Sequence, residues 1–343
     1  MVSGIDLLAN SQESLEKELV QKIPDIAQVT HVYYFAYKAS QDLHKELAES
    51  VDMFAKAVKA VDKLCSALEF VVLQIGSKIY GCHLRAMLPW YDAAAPPGTT
   101  QPPLPSPPLS ESAPRLPSPF AELLFYHPQI DFITEYSKGK SWSFIETRPD
   151  LIIGFVPNQN FYSLGTTMAL YLSLWKEVHG DGAECPFPGT TKVYKALSND
   201  SSSDMIARQT IHLTLSPSAP KGGVYNVADS KTPYSWEQKW PVVCSYFNLK
   251  AMGPLSEPID MRHFIRDNMT AWLAMEKRYG LQSGHIDGGR GMQISEHLLM
   301  TKFDFDRHFD MTKMYSTGFT EERGPKDTWW KVFDRMRKAR IIP

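Results

Sequence analysis

Two residues of the sequence, Lys78 and Tyr126, could act together as an acid–base pair. Lys78 lies in LQIGSKIYG, two residues beyond the glycine that closes a predicted apolar strand, and Tyr126 lies in LLFYHPQID, at the predicted start of a helix. An ammonium near a phenol lowers the pKa of the phenol and helps it to donate to an oxygen on which negative charge develops. Because the chain has 15 tyrosines, these two residues taken alone are explained better by a solvated lysine and a packed tyrosine.

Other chemistries find less support. The 10 histidines form no HExxH motif and no cluster at metal-ligand spacing, so we expect no metal site. The aspartates of FDFDRHFD (303–310) lack the glycine and the closing glutamate of a calcium loop, and helix capping or surface charge explains them better. Ser77 beside Lys78 suggests a serine–lysine nucleophile, but no G-x-S-x-G turn accompanies it.

The elements that must position these residues can be predicted from the apolar pattern. Runs of apolar and β-branched residues predict buried strands, and apolar residues three or four apart predict helices. The predicted strands are 2–9, 29–37, 70–75 and 143–147, with an apolar run at 151–155, and the predicted helices are 43–67 and 127–136. This alternation indicates an α/β fold with a parallel sheet and right-handed crossovers.

Residues 89–119 interrupt this pattern with 11 of the 25 prolines. Proline cannot continue a helix or a central strand, so the segment is predicted to be an extended surface loop. The stretch PLPSPP could also form a polyproline II turn that binds the aromatic groove of another protein. We favour an inert insertion.

From about residue 158 the pattern is less regular and mainly helical. Predicted helices cover 164–178, 204–213, a segment from 234 onward and most of 258–343. A turn is predicted at 185–189 and a short strand at 224–227.

Several stretches resemble the atypical branch of the short-chain dehydrogenase/reductase superfamily that contains progesterone 5β-reductase and iridoid synthase. THVYYFAY is similar to the fourth strand of that family, and LQIGSKIYG to its fifth strand with the catalytic lysine. LLFYHPQIDFI is similar to its Phe-Tyr-Tyr segment with the catalytic tyrosine, and TRPDLIIGFVPNQN to its Arg-Pro…Gly-Phe-x-Pro motif. CPFPG, VYNVADS, WEQKWPVVCSYFNL and FDFDRHFDMTK continue the match in the same order, so it covers nearly the whole chain.

The resemblance implies a Rossmann-like parallel sheet, truncated at its N-terminal side, with a mainly helical C-terminal part that binds substrate. Residues 1–157, with the proline-rich insertion at 89–119, would form an incomplete NAD(P)-binding region. Residues 158–343 would form the substrate-binding region, with a segment at about 222–250 returning to the sheet.

The resemblance also implies roles for individual residues. Lys78 and Tyr126 become the catalytic pair, and the cofactor is expected to be NADPH. Asp6 and Leu7 would border the adenine, Ala36 and Gly76 would let the cofactor approach closely, and Pro149 and Ile152 would lie near the nicotinamide. Tyr37, Tyr80 and Phe155 are the expected substrate-binding residues.

The chain departs from the family pattern in two places. His127 stands where a second tyrosine is usual. No G-x-G-x-x-G follows a predicted strand, and the glycines at 288–291 lack the strand–helix context of a phosphate loop. The glycine loop and the first two strands of the family are expected before residue 2, which would leave one edge of the strand at 29–37 exposed.

Composition sets broad limits on partners. A net charge of −2 gives no field for nucleic acid or an anionic membrane, and no stretch reaches the length of a membrane span. The four cysteines never form CxxC, which suits a reducing compartment. We expect a cytoplasmic protein with a small apolar substrate. The sequence leaves the oligomeric state open, with a homodimer as one alternative.

Three functions are compatible with these observations. The first, which we expect, is an NADPH-dependent reductase of a carbonyl or enone in secondary metabolism. The second is a cofactor-independent cyclase or isomerase that uses the same Tyr126–Lys78 pair, with an aromatic lining that includes Phe161 and Tyr162. The third is an inactive family member whose proline-rich segment contacts a partner.

Overall fold

The computed structural model describes residues 2–8, 11–40, 42–87, 102–157, 163–284 and 294–343. Its strands are β1 (His31–Tyr34), β2 (Phe70–Gln74), β3 (Ser143–Pro149), β4 (Ile152–Ile153), β5 (Glu184–Pro186), β6 (Ser201–Ser202), β7 (Gly223–Val227) and β8 (Lys250–Met252). Its α-helices are α1 (Gln12–Lys22), α2 (Leu43–Leu64), α3 (Cys82–Met87), α4 (Tyr126–Tyr136), α5 (Leu164–His179), α6 (Thr191–Lys195), α7 (Ser203–Leu215), α8 (Trp236–Tyr246), α9 (Met261–Asp267), α10 (Met269–Tyr279), α11 (Ile294–Thr301), α12 (Thr312–Ser316) and α13 (Pro325–Lys338). None of these helices combines the length and the apolar character that crossing a bilayer requires.

Four parallel strands form the main sheet in the order β1-β2-β3-β7. The register aligns Tyr34 with Leu73, Leu73 with Glu146 and Glu146 with Val224. The first four residues of β2 are apolar and buried, as expected of a parallel strand that is covered on both faces. Within the described residues β1 pairs with β2 alone and is therefore an edge strand, and it is shorter than predicted.

Helix α2 covers one face of this sheet. Its buried stripe runs through Leu43, Glu46, Ser50 and Met53 and continues with Phe54 and Val58, and this spacing of three and four residues places side chains on one helical face. The Asp42 side chain accepts hydrogen bonds from the first amides of the helix and thereby fixes where it begins. The prediction of this helix is confirmed.

The prediction of a buried strand at 2–9 is wrong for the described residues 2–8, which form no regular structure. Strands require a hydrogen-bonded neighbour, and no described strand pairs with this segment. Instead the Lys22 ammonium donates to the carbonyls of Ser3 and Gly4, and the Asp6 carboxylate accepts from the amide of Leu8 at 2.8 Å. An apolar run is therefore not a strand without a partner strand.

Residues 102–119, the described half of the proline-rich segment, belong to none of the helices or strands, as predicted, but parts of the segment are buried. Leu109 and Leu116 are buried, and Leu109 exchanges backbone hydrogen bonds with the segment His308–Asp310. The Glu111 carboxylate accepts from the amide of Asn226 on β7. Proline removes backbone donors but does not prevent burial of the leucines between the prolines. The segment is part of the fold, and its first half, 89–101, lies outside the described residues.

The helical C-terminal part has a second core. Helices α5, α8 and α13 pack together, and Trp240, Trp329 and Phe333 are fully buried there. The buried Lys239 ammonium donates to Asp200 at 3.0 Å, and the indole of Trp329 donates to the other oxygen of that carboxylate. Burial of this ion pair is tolerated because its charges are hydrogen-bonded.

Candidate active site

The carboxyl ends of β1, β2 and β3 meet at one edge of the sheet because the strands are parallel. Tyr34, Leu73 and Glu146 lie side by side on β1, β2 and β3. Three residues further along the chain from each of them lie Tyr37, Gly76 and Pro149. Ligands of open parallel sheets bind outside this edge. The register therefore brings residues from three separate sequence stretches to one place.

Gly76 leaves space beside the hydroxyl of Tyr126. Its backbone is extended, so any residue could adopt its conformation, and space is the reason for glycine here. A Cβ atom at this position would lie 3.2 Å from the carbonyl oxygen of Pro149 and 3.6 Å from the hydroxyl oxygen of Tyr126. The first residue of α4 thus presents its phenol at the end of β2, next to the turn that carries Lys78.

Lys78 is held by a short chain of hydrogen bonds. Its ammonium donates to the hydroxyl of Tyr37 at 2.9 Å and lies 4.9 Å from the centre of the Tyr37 ring. The Tyr37 hydroxyl in turn donates to the Glu46 carboxylate at 2.5 Å. The Tyr37 ring stacks on Phe125, which packs edge-on against Tyr126. Both candidate catalytic residues are therefore tied to Tyr37.

The electrostatic surroundings of Lys78 combine burial with one carboxylate. Desolvation lowers the pKa of Lys78, and the charge of Glu46 opposes that shift. Burial, followed by the nearby Lys78 charge, lowers the pKa of His83 well below its usual value, so this imidazole is neutral. A lysine in such surroundings loses its proton at a lower pH than a solvated one.

A second set of contacts fixes the turn at Ser77. The Ser77 hydroxyl donates to the Asp150 carboxylate at 2.8 Å, and the Arg307 guanidinium donates to the other oxygen of that carboxylate at 3.0 Å. Asp150 and Arg307 are both buried. The turn that carries Lys78 is thus anchored to the C-terminal part of the chain.

The remaining predicted residues lie in different surroundings. Tyr80 lies in the interior, and its hydroxyl donates to Asn226, so packing accounts for it and substrate contact stays a prediction. Phe155 is half-buried against the second core, and Leu7 packs against the core of the sheet. Ala36 and Asp6 are exposed. Phe161 and Tyr162 lie outside the described residues.

The edge of the sheet carries apolar groups that suit the nicotinamide end of a dinucleotide. Phe35 and Tyr37 follow β1 and Ile152 follows β3 by three residues, and they are 52%, 39% and 41% exposed, respectively. A flat, weakly polar ring binds well between such groups. For the diphosphate the sequence has no glycine loop after a strand, and we assign no residue to it.

Sequence reasoning missed Glu46, Asp150 and Arg307. One signal was available for Glu46, because it lies on the apolar stripe of α2 between Leu43 and Ser50. A carboxylate on a buried stripe needs a partner. No local pattern connects Arg307 with Asp150, since the two are brought together by the fold. In the described part of the chain, no group of three or more metal-binding side chains is placed to hold an ion.

Comparison with known sequences places the chain in context. Residues 1–343 match the family model described as a PRISE-like Rossmann-fold domain. The short chain dehydrogenase ausT of Aspergillus calidoustus is 36% identical over 353 residues, which cover 100% of this chain and 81% of that protein. A 3-oxo-Delta(4,5)-steroid 5-beta-reductase of Arabidopsis thaliana is 23% identical over 327 residues, 94% of this chain and 77% of that protein.

Solved structures show the same fold. RMD from Pseudomonas aeruginosa, complexed with NADPH, aligns with a TM-score of 0.60 at 11% identity and covers 98% of this chain and 88% of its own. The UDP-glucose 4-epimerase of Thermus thermophilus, complexed with NAD, aligns with a TM-score of 0.55 at 13% identity over 98% and 84% of the two chains. At these identities the likeness concerns the Rossmann-like architecture alone.

Proposed function

The chain belongs to the PRISE-like Rossmann-fold family, an atypical branch of the short-chain dehydrogenases/reductases, and from this premise we propose that it is an NADPH-dependent reductase. Its substrate is a small apolar metabolite with a carbonyl or enone group, of the kind made in secondary metabolism. One relative is named for reducing a 3-oxo-Δ4,5 steroid, which carries such a group.

One observation carries the proposal. The Tyr126 hydroxyl lies beside the gap at Gly76, at the sheet edge that also holds Lys78. A phenol donor and an ammonium at the carboxyl edge of a parallel sheet are suited to an oxygen that gains negative charge.

Tyr126 and Lys78 have different roles in the proposed reaction. Tyr126 donates a hydrogen bond to the substrate oxygen and transfers its proton as charge builds up there. Lys78 lowers the free energy of the phenolate that remains, because an opposite charge nearby favours the ionised form. When bound, NADPH supplies the hydride.

Cofactor binding in this proposal uses the residues around the gap. Gly76 and Ala36 allow close approach, while Pro149 and Ile152 pack against the ring. Asp6 and Leu7 are proposed to border the adenine. Tyr37 and Phe155 are proposed to contact the substrate, and Tyr80 is left out because it is 2% exposed.

The test is turnover of the full chain with NADPH and a panel of cyclic enones and aldehydes, beginning with 2-cyclohexen-1-one. We expect Tyr126→Phe to lower kcat by about 10²–10⁴-fold, the usual contribution of a positioned proton donor. Tyr136→Phe, at the other end of α4, is the matched control and keeps full activity, since its hydroxyl bonds to Asp62 away from the gap.

Two results would contradict the proposal. Full turnover in Tyr126→Phe would remove the phenol from the chemistry. Conversion of the enones without NADPH, still dependent on Tyr126, would identify the cofactor-independent isomerase or cyclase instead.

A further inference from the structure

We propose that Glu46 and Tyr37 form a positioning pair that aims the ammonium of Lys78 and holds it in its charged form. This inference rests on the proposed function, because it assigns a purpose to the contacts of Lys78. Neither residue is a catalytic residue in this role, since both act through Lys78.

The first argument is the place of Glu46. It is 5% exposed on the inward stripe of α2, where an apolar side chain would pack more favourably. It lies in the first turn of the helix, where the positive end of the helix dipole stabilises a carboxylate. A buried carboxylate in this position needs hydrogen-bond partners, and the Tyr37 hydroxyl is one of them.

The second argument is the direction of the hydrogen bonds. An ionised carboxylate can only accept, so the Tyr37 hydroxyl must give its single proton to Glu46. The oxygen of that hydroxyl then accepts from Lys78 at 2.9 Å. Glu46 thus orders the hydroxyl so that it presents lone pairs, and not a proton, to the ammonium.

The third argument is charge. Titratable groups that interact with Lys78 include Tyr37 after β1, Glu46 on α2 and His83 on α3, and Tyr126 on α4 lies at the same edge of the sheet. His83 is neutral, and at neutral pH a phenol is too. Among these groups Glu46 supplies the negative charge, and it opposes the desolvation that lowers the pKa of Lys78.

The fourth argument is exposure. Tyr37 is 39% exposed although its hydroxyl bonds on both sides. A bond formed for stability alone gains most when it is shielded from water. The pair is therefore better explained by its effect on Lys78 than by its contribution to folding.

The experiment measures the pKa of Lys78 directly, without turnover. The full chain is acetylated briefly with acetic anhydride over a range of pH, and the modified fraction of Lys78 is quantified by mass spectrometry. We expect Glu46→Gln to lower this pKa by about one unit, the effect of removing a unit charge one hydroxyl away in partly hydrated surroundings. The basic limb of kcat/KM should move to lower pH by the same amount.

Tyr37→Phe is the second variant and guards against misfolding of Glu46→Gln. It keeps the ring that stacks on Phe125 and removes only the bridging hydroxyl. We expect a smaller downward shift of the Lys78 pKa and a roughly tenfold loss of kcat, as a catalytic group that is aimed less well reacts more slowly.

Matched controls are Asp52→Asn, a carboxylate on α2 that pairs with Lys56, and Tyr33→Phe, whose hydroxyl bonds to Thr214. Both should leave Lys78 unchanged. If Glu46→Gln and Tyr37→Phe also leave the Lys78 pKa and the pH profile unchanged, the positioning pair is refuted. The proposed function survives that result as long as Tyr126→Phe is inactive, so the two failures are distinguishable.

Discussion

Two groups of side chains in this protein each combine a cation, a tyrosine and a glutamate, but they lie in different surroundings. The outer cluster is Lys78, Tyr37 and Glu46, and the inner cluster is Arg148, Tyr80 and Glu146. In each the cation donates to the tyrosine hydroxyl and lies over its ring, at 4.9 Å for Lys78 and 5.2 Å for Arg148. Lys78 and Tyr80 even belong to the same short 3-10 turn, Ser77–Tyr80.

The clusters differ in burial and in the kind of cation. Tyr80 is 2% exposed and its hydroxyl donates to Asn226 at 2.7 Å, while Arg148 donates to the buried Glu146 at 2.5 Å. Desolvation raises the pKa of Tyr80 to about 12 despite the neighbouring Arg148. Arginine cannot lose its proton in a protein, whereas lysine can. Arg148 thus stays charged, whereas Lys78 can lose its proton and is the more exposed of the two cations.

The largest expected effect comes from breaking the inner cluster. Arg148→Met leaves the Glu146 carboxylate buried without its cation and should lower the free energy of unfolding by about 3–5 kcal/mol. Urea denaturation followed by fluorescence measures this. Arg115→Met, which removes an exposed pair with Asp131, is the control and should cost no more than about 1 kcal/mol. Equal losses of unfolding free energy in Arg148→Met and Arg115→Met would show that burial does not make the Arg148–Glu146 pair more important for stability.

A smaller loss of stability should distinguish Tyr80 of the inner cluster from Tyr37 of the outer cluster. Tyr80→Phe removes the hydroxyl that bonds to Asn226 and Arg148, and leaving these buried groups unpaired should cost about 1–3 kcal/mol. In Tyr37→Phe water replaces the lost hydroxyl, so the cost should stay below about 1 kcal/mol. Thermal unfolding of both variants measures which of them loses more stability. A larger loss in Tyr37→Phe than in Tyr80→Phe would contradict the prediction.

The smallest effect on stability is expected when the outer cluster is made like the inner one. Lys78→Arg should change the free energy of unfolding by no more than about 0.5 kcal/mol, because the site is partly hydrated. The basic limb that Lys78 contributes to the pH profile of turnover should disappear, since arginine stays charged. A basic limb at its original pH would assign that limb to another group.

Much of the scaffold could be predicted from the sequence, because it depends on local pattern. The FVVL run of β2 and the apolar stripe of α2 have the spacing of a covered strand and an amphipathic helix, and both elements formed where expected. The run at 2–8 failed, since a strand also requires a neighbour that no local pattern reveals.

The candidate active site could be predicted from the sequence only in part. Lys78, Gly76 and Tyr126 could be proposed only through the family resemblance, because the lysine and the tyrosine taken alone are explained better by solvation and packing. Arg307 could not, because its contact with Asp150 joins two distant parts of the chain. The contrast between Tyr37 and Tyr80 was also hidden, as both are tyrosines that follow apolar strands and only tertiary packing buries one of them.

The buried leucines of the proline-rich segment have a consequence for synthesis on the ribosome. The contacts of Leu109 are with Asn226, His308 and Asp310, so it cannot be seated until those residues have been made. At about 5–20 residues per second, the roughly 200 residues in between take about 10–40 s to translate. A segment rich in proline stays extended during that interval and resists pairing into aggregated strands. Its composition thus suits a part of the chain that emerges early and is buried late.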